Sequence, residues 1–464
     1  MKKRVVIVGA GPAGLAAANT LANEKELEIK ILDRGKRVEE RTRTSFDQAF
    51  GVGGVGAYSD GKFIFETIVG RRQIGTNLHE LIGEEEKSYL IKAREFFTPH
   101  YEGTYNLKLE EPEKEKIERA YQIAQIAGAK DMDYVVAKDY HIGTDRLPQL
   151  IEHIEKDLEK RGVEFLTETE VIDWNEKEVI TKKGKICEYD YLLIAPGRDG
   201  SHWLEKILKK RKIAHGTRPI DIGVRIETDA AVLKPFTDIE RDLKLEFRTK
   251  NGDLIRTFCV CPYGQVVKES KRAEYIGYDF CLVNGASNSN AISQNTNFAL
   301  LVRMPLMNDA NNANYGRAIA ETYHVAGVDK IILQRYGDFK EPRRSKEEKM
   351  HEWRIKPSMS REDFMVGDIT IGMPGRITKA IEYGIERLSE RGLVEGLNQD
   401  STLLYGPEIK FHGIKIATTD YLESTSMENI FFAGDGTGFS RGIGGSMASG
   451  IRAAEGVLKK VKNQ

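Results

Sequence analysis

Three features of this sequence predict an α/β fold of two domains, the first split along the chain and the second rich in β-structure. One is a short apolar run, Val5–Val8, that enters Gly9-Ala10-Gly11-Pro12-Ala13-Gly14 and continues as an alanine-rich, helix-like run, Leu15–Ala22. Another is the texture after Thr217, where apolar stretches alternate with turn residues. The third is a return to strand, glycines and helix near the C-terminus: a buried-strand pattern over Asn429–Asp435, a glycine loop over 436–445 and a helical pattern over 446–460.

The first stretch reads as a Rossmann-like dinucleotide site. Gly9 permits the tight turn out of the strand, Gly11 leaves room for a pyrophosphate, and Gly14 lets helix and sheet pack closely. Pro12 and Ala13 open the helix, whose free N–H groups and positive dipole end face the anion. A second strand, Glu28–Leu32, runs into Asp33 and Arg34, about 20 residues beyond the glycines, where a carboxylate accepts from a ribose hydroxyl. NAD and FAD both remain open at this point.

Composition sets bounds. The 464 residues suggest roughly two to three domains. With 70 basic and 71 acidic residues the net charge is −1, so nothing argues for nucleic acid or an anionic membrane as partner. No apolar run approaches the ~18 residues of a membrane span. Lys2-Lys3-Arg4 imitates the start of a signal peptide, but the glycine fingerprint accounts for the same residues better, and a cytoplasmic location is expected. Four cysteines fit a reducing compartment.

In chain order, Gly51, Gly53 and Gly56 form a second GxGxxG. No helix pattern follows it, so it reads as a loop passing close to the cofactor, with Gly53, Gly54 and the following Gly61 as cofactor-side positions. Phe63-Ile64-Phe65 reads as a strand. Residues 76–140 read as a helical insertion, with helical spacing over Leu78–Phe97 and Glu111–Ile126. An amphipathic helix from Thr144 to Arg161, a strand at Val163–Leu166, a meander over 167–181 and a buried strand, Tyr191–Ala195, follow. Strands are expected at Ile220–Glu227, Leu243–Arg248, Thr257–Val260, Gln265–Val267 and Ala299–Met304, and a helix at Gly375–Arg391. Asn284–Asn288 and Asn311–Asn314 read as turns.

The terminal block resembles the second cofactor motif of the glutathione-reductase-like FAD superfamily. The resemblance implies that Asp435, after Gly434, meets a ribitol hydroxyl, and that the helix start at Gly442, Ile443 and Gly444 points at the flavin. It also implies that a backbone group at Val171 holds the adenine. FAD is preferred over NAD because such a cofactor spans both ends of the chain.

Phe258-Cys259-Val260-Cys261-Pro262-Tyr263-Gly264 leaves three readings open. Two small buried residues pack near the site, or Cys259 and Cys261 are a redox dithiol, or they are metal ligands; too few further cysteines exist for the last, and no metal is expected. On a regular strand the two share a face, with Cα atoms roughly 6.5–7 Å apart. The whole chain is similar to an uncharacterised FAD-dependent dehydrogenase family that carries an FCxCPxG string. The matching pieces are Gly9–Gly14, Gly51–Lys62, Ile194–Arg198, Ile222–Glu227, Phe258–Gly264 and the C-terminal glycine loop. More distantly it is similar to geranylgeranyl reductases and aromatic hydroxylases. Asp33 stands where that superfamily usually has Glu, and Tyr263 is expected to narrow the substrate pocket.

The resulting expectation is an FAD-dependent oxidoreductase that moves a hydride between an unidentified small substrate and flavin N5. Its Rossmann-like FAD-binding domain comprises residues 1–75, 141–215 and 400–464, and its β-rich substrate domain 216–399. Cys259, Cys261 and Arg441 are the catalytic candidates. Gly197 and Arg198 join the cofactor set, and Arg198 and Arg441 are read as holding an anionic group near the flavin, with FAD phosphate or the protein surface as the alternatives. NAD(P)H or another electron carrier is the candidate second partner. An NAD(P)H-dependent flavin reductase and a non-catalytic FAD-binding protein are the alternatives.

Overall fold

The structure, a computed structural model, describes residues 2–42, 46–70, 73–109, 113–184, 186–271, 280–304, 306, 312–390 and 393–463. A five-stranded parallel sheet holds the two chain ends together. Its order is Ile430–Phe432, Tyr191–Ile194, Lys3–Val8, Leu27–Leu32 and Glu164–Leu166. Tyr191–Ile194 inside the sheet and Ile430–Phe432 at its edge are both buried at every position, as their unbroken apolar runs require. The helices Pro12–Leu21 and Ile443–Lys462 pack against each other. They approach so closely that a Cβ on Gly450 would stand 2.0 Å from the Ala13 carbonyl oxygen. The meander is present as Val171–Trp174, Glu178–Thr181 and Ile186–Glu188.

The second layer is a nine-stranded sheet. Its order is Phe364–Val366, Ile331–Arg335, Leu403–Lys410, Ile220–Asp229, Asn295–Met304, Leu254–Pro262, Lys244–Arg248, Asp133–His141 and Lys62–Val69. All neighbours run antiparallel except the first two. The helix Gly375–Glu390 lies on its central strands. Leu403–Lys410 and the first nine residues of Ile220–Asp229 are buried, charged residues included, so the polar side chains there must find partners inside.

This sheet extends beyond residues 216–399. Lys62–Val69 and Asp133–His141 form its edge, and Leu403–Lys410 lies near its centre. The stretch 76–140 is therefore helical only to Gly128 and ends in a strand. Asn284–Ala286 finishes the strand Phe280–Ala286 rather than forming a turn, because its register with Gln265–Lys271 continues to Ala286. Asn312 starts the helix Asn312–Gly327; Asn311 and Arg391 lie outside the described residues. Among the described residues no helix is long and apolar enough to cross a membrane.

Candidate active site

One cavity runs between the two sheets, and both glycine-rich helix starts open on it. Gly9, Gly11, Pro12 and Ala13 line one end, with Gly54, Gly197 and Arg198 beside them. Gly434, Asp435, Arg441, Gly442, Ile443 and Gly444 line the other. Gly9 has φ +107°, and a Cβ there would lie 2.1 Å from the Ala195 carbonyl oxygen, so only glycine fits. A Cβ on Gly11, by contrast, meets no atom within 4 Å, so the space in front of the helix start is open.

Asp33 does more than the sequence suggests. Its carboxylate accepts from the backbone amides of Ala10 (2.9 Å), Gly35 (2.9 Å) and Gly51 (2.7 Å). It thus ties three loops together, and the shorter Asp suits this because the amides crowd it. The Gly53 amide adds a bond to the Ala10 carbonyl (2.8 Å). Gly14, Gly53 and Gly61 do not line the cavity. Gly14 backs onto the Gly9 carbonyl, Gly53 onto Ile151 and Gly61 onto the Gly143 backbone. They shape the walls from behind.

An adjoining recess continues from Asp33 past Arg34 and Val171 to Trp203. Arg34 pairs with Asp199 and lies 4.0 Å from the Phe50 ring centroid. At the other end, the Arg198 Nε donates to Asp435 Oδ2 (2.9 Å), and Asp435 holds the Arg198 guanidinium above its usual pKa. Arg198 is therefore committed to Asp435. The helix start beyond is fixed by the Arg441 amide on the Gly75 carbonyl (2.9 Å) and by the paired hydroxyls of Ser440 and Ser446 (2.6 Å). Among Ile443, Gly444 and Gly445, a Cβ on Gly444 or Gly445 would strike the backbone of Ile64 or Gly75.

The nine-stranded sheet brings a charged cluster to the same cavity. Asp60, Lys62, Asp242, Lys244 and Cys259 all line it. The Lys62 side chain is only 3% exposed; its ammonium lies 3.2 Å from Asp60 and 3.7 Å from Asp242 and donates to the Val260 carbonyl. Burial would lower its pKa, but the carboxylates of Asp242 and Asp60 hold it well above the ordinary value. Asp242 also pairs with Lys244, and against burial the two lysines hold its carboxylate far down. Behind them Asp139 has no hydrogen-bond partner among the described residues, and burial pushes it up to about 7. Burial, then the nearby Asp139, raises Glu240 as well.

Cys259 and Cys261 do not alternate as in a regular strand. Two residues, Cys259 and Val260, stand opposite Phe298 alone, a bulge between Phe258 and Cys261. Cys259 adopts φ +52°, and the two sulfurs lie 3.9 Å apart. Cys259 lines the cavity, while Cys261 is fully buried behind it. Tyr263 turns away: it is 39% exposed and is not part of the cavity wall. Sequence reasoning gave no role to Lys62, Asp139, Glu240, Asp242 or Lys244. Only Asp60 and Lys62 carried a signal, the Ser-Asp-Gly-Lys after the second glycine loop.

Family comparisons agree with this geometry. A model described as "FAD dependent oxidoreductase" matches residues 4–224, and one described as "FAD-dependent protein, C-terminal domain-like" matches 219–410. The chain is an FAD-dependent oxidoreductase. The boundary of the second match at 410 coincides with the end of the strand Leu403–Lys410. This oxidoreductase is 25% identical to an uncharacterised protein of Clostridium beijerinckii, over 99% of this chain and 81% of that one. Among solved structures, glycine oxidase from Bacillus cereus matches with TM-score 0.41 and 13% identity, over 99% of this chain and 96% of that one. Glycine oxidase from Geobacillus kaustophilus matches with TM-score 0.42 and 11% identity, over 99% and 95%.

Proposed function

We propose that the chain is a dehydrogenase or reductase of the family marked by the Phe258–Gly264 string, moving a hydride between a small substrate and the N5 position of FAD. The observation that supports this most is the convergence of two helix starts and the Lys62–Cys259 cluster on one cavity. When bound, FAD supplies the electron-accepting ring. The open space before Gly11 and the free amides of the Pro12–Leu21 helix hold the pyrophosphate. Asp33 keeps that loop in place, and the recess beside Arg34 and Val171 takes the adenine. Asp435, with Oδ2 occupied by Arg198, offers Oδ1 to a ribitol hydroxyl.

The amides at Ile443–Gly445 and the positive end of their helix stabilise negative charge on the reduced ring. Lys62 and Asp60 hold opposite charges at fixed positions on the substrate side, where they orient a polar group and donate or accept a hydrogen bond. Arg441, on the cavity wall, faces an anionic substrate group or the cofactor. The four free cysteines suit a reducing, cytoplasmic setting. NAD(P)H or another carrier, binding transiently, closes the electron cycle.

An anaerobic screen of candidate donors, NADH and NADPH included, against FAD-loaded protein tests the reading. Loss of the flavin's visible absorbance on a catalytic timescale with one class of donor is the expected result. Failure of every donor, with dithionite still bleaching the flavin, argues against hydride transfer at this site.

A further inference from the structure

We propose that Cys259 and Cys261 are a redox-active dithiol that exchanges an electron pair with FAD. The proposal rests on the cofactor assignment above. The bulge that breaks the strand between Phe258 and Cys261 is what brings the two sulfurs to 3.9 Å, a short closure from a disulfide. Cys259 holds a left-handed backbone, φ +52°, that side chains rarely adopt, and the side chain so placed is a thiol facing the cofactor cavity.

The surroundings suit thiolate chemistry. The single S–H of Cys259 has two acceptors within reach, Asp60 Oδ2 at 3.2 Å and Cys261 Sγ at 3.9 Å. Two buried cations flank the pair: Lys62 donates to the Val260 carbonyl, and Arg225 Nη1 donates to the Cys259 carbonyl at 3.2 Å. The hydrogen bond from Cys259, then Lys62 and Arg225, hold the Cys261 thiol below its ordinary pKa against burial, whereas that hydrogen bond and burial push Cys259 up. Three atoms of Asp60, Cys259 and Cys261 lie within 4.8 Å of one another, but the Lys62 ammonium already stands 3.2 Å from that carboxylate and opposes a metal ion there.

Two S–H bonds break and one S–S bond forms between Cys259 and Cys261. The electron pair passes to oxidised FAD, which is reduced and takes one of the two protons. The other proton goes to the Asp60 carboxylate and on to the cavity. In reverse, reduced FAD restores the two thiols.

Anaerobic dithionite titration of air-oxidised, FAD-loaded protein reads the electron capacity directly. Wild-type protein is expected to take up four electrons per FAD. Cys259→Ser and Cys261→Ser, each retaining FAD, are expected to take up two. Denaturation in an alkylating agent, followed by peptide mapping, supplies a readout independent of the flavin. Cys259 and Cys261 should resist alkylation in the oxidised protein and become alkylated after reduction, while Cys187 and Cys281 react in both. Uptake of two electrons by the wild type with both thiols alkylated from the start overturns the proposal. So does a stoichiometric zinc ion released on thiol modification. Protein that binds no FAD overturns the cofactor assignment instead, and the alkylation map then decides whether the pair oxidises at all.

Discussion

Replacing Asp33 by asparagine should loosen FAD by roughly 30- to 150-fold. The carboxylate accepts from Ala10 N on Oδ2 and from Gly35 N and Gly51 N on Oδ1. An amide of the same shape keeps one oxygen, which best serves the Gly35 and Gly51 pair. Its NH2 then faces the Ala10 N–H, donor against donor. One charge-assisted hydrogen bond is lost and a buried donor is left without an acceptor, which together cost about 2–3 kcal/mol. At 1.4 kcal/mol per factor of ten this gives the stated range. The loss falls on cofactor binding because Gly9, Gly11, Pro12, Ala13 and Gly54 line the cavity on loops that Asp33 joins. Asp33→Glu keeps the charge but moves it by one methylene, so it separates charge from geometry. The assay is fluorescence quenching of FAD on titration with apoprotein, with FAD stoichiometry after dialysis as a second measure. An Asp33→Asn protein that binds FAD as tightly as the wild type would refute the role assigned to the three amides.

Gly11→Val should abolish FAD retention, since its side chain enters the space left for the pyrophosphate; a purified variant that stays fully yellow would count against the site. Glu408→Gln should lower stability by about 3–5 kcal/mol, because Arg225 is wholly buried and its Nε and Nη2 both bond this carboxylate, at 2.8 and 3.0 Å. Thermal unfolding of the FAD-free protein checks it, and an unchanged midpoint would contradict it. Asp139→Asn should have a pH-dependent effect on stability. In the folded protein Asp139 keeps its proton up to about 7, while in the unfolded chain it loses it near pH 4, so wild-type stability falls as pH rises between the two. The variant should therefore gain on the wild type from pH 4 to 7 and hold that gain above. A gain that shrinks over this range would show the sign to be wrong.

The nucleotide half was legible because its demands are local and steric. Gly9 must turn where the Ala195 carbonyl leaves no room for a Cβ, and such constraints print glycines at fixed spacing. The charged cluster was not legible. It joins four separated segments, around residues 60–62, 139, 240–244 and 259–261, and no local spacing connects them. Nor does periodicity say which sheet a strand joins: Phe63-Ile64-Phe65 was recognisable as a strand, but its partner in Asp133–His141 is set by tertiary pairing. The i, i+2 rule failed at Cys259 because a bulge opposite Phe298 is invisible in a run of apolar residues. Arg198 was expected to hold an anionic group near the flavin or FAD phosphate; its guanidinium pairs instead with the protein's own Asp435, a partner 237 residues away that no local spacing reveals.

The chain passes from the parallel sheet to the nine-stranded sheet after Leu32, back after His141, out again after Ile194 and home after Lys410. A ribosome therefore delivers the pieces in an order that leaves every early unit incomplete. At about 5–20 residues per second, the segment around Gly9 waits on the order of 20 to 90 s for the helix Ile443–Lys462 that packs on its own helix. A cofactor held by both helix starts would load only at the end of that interval.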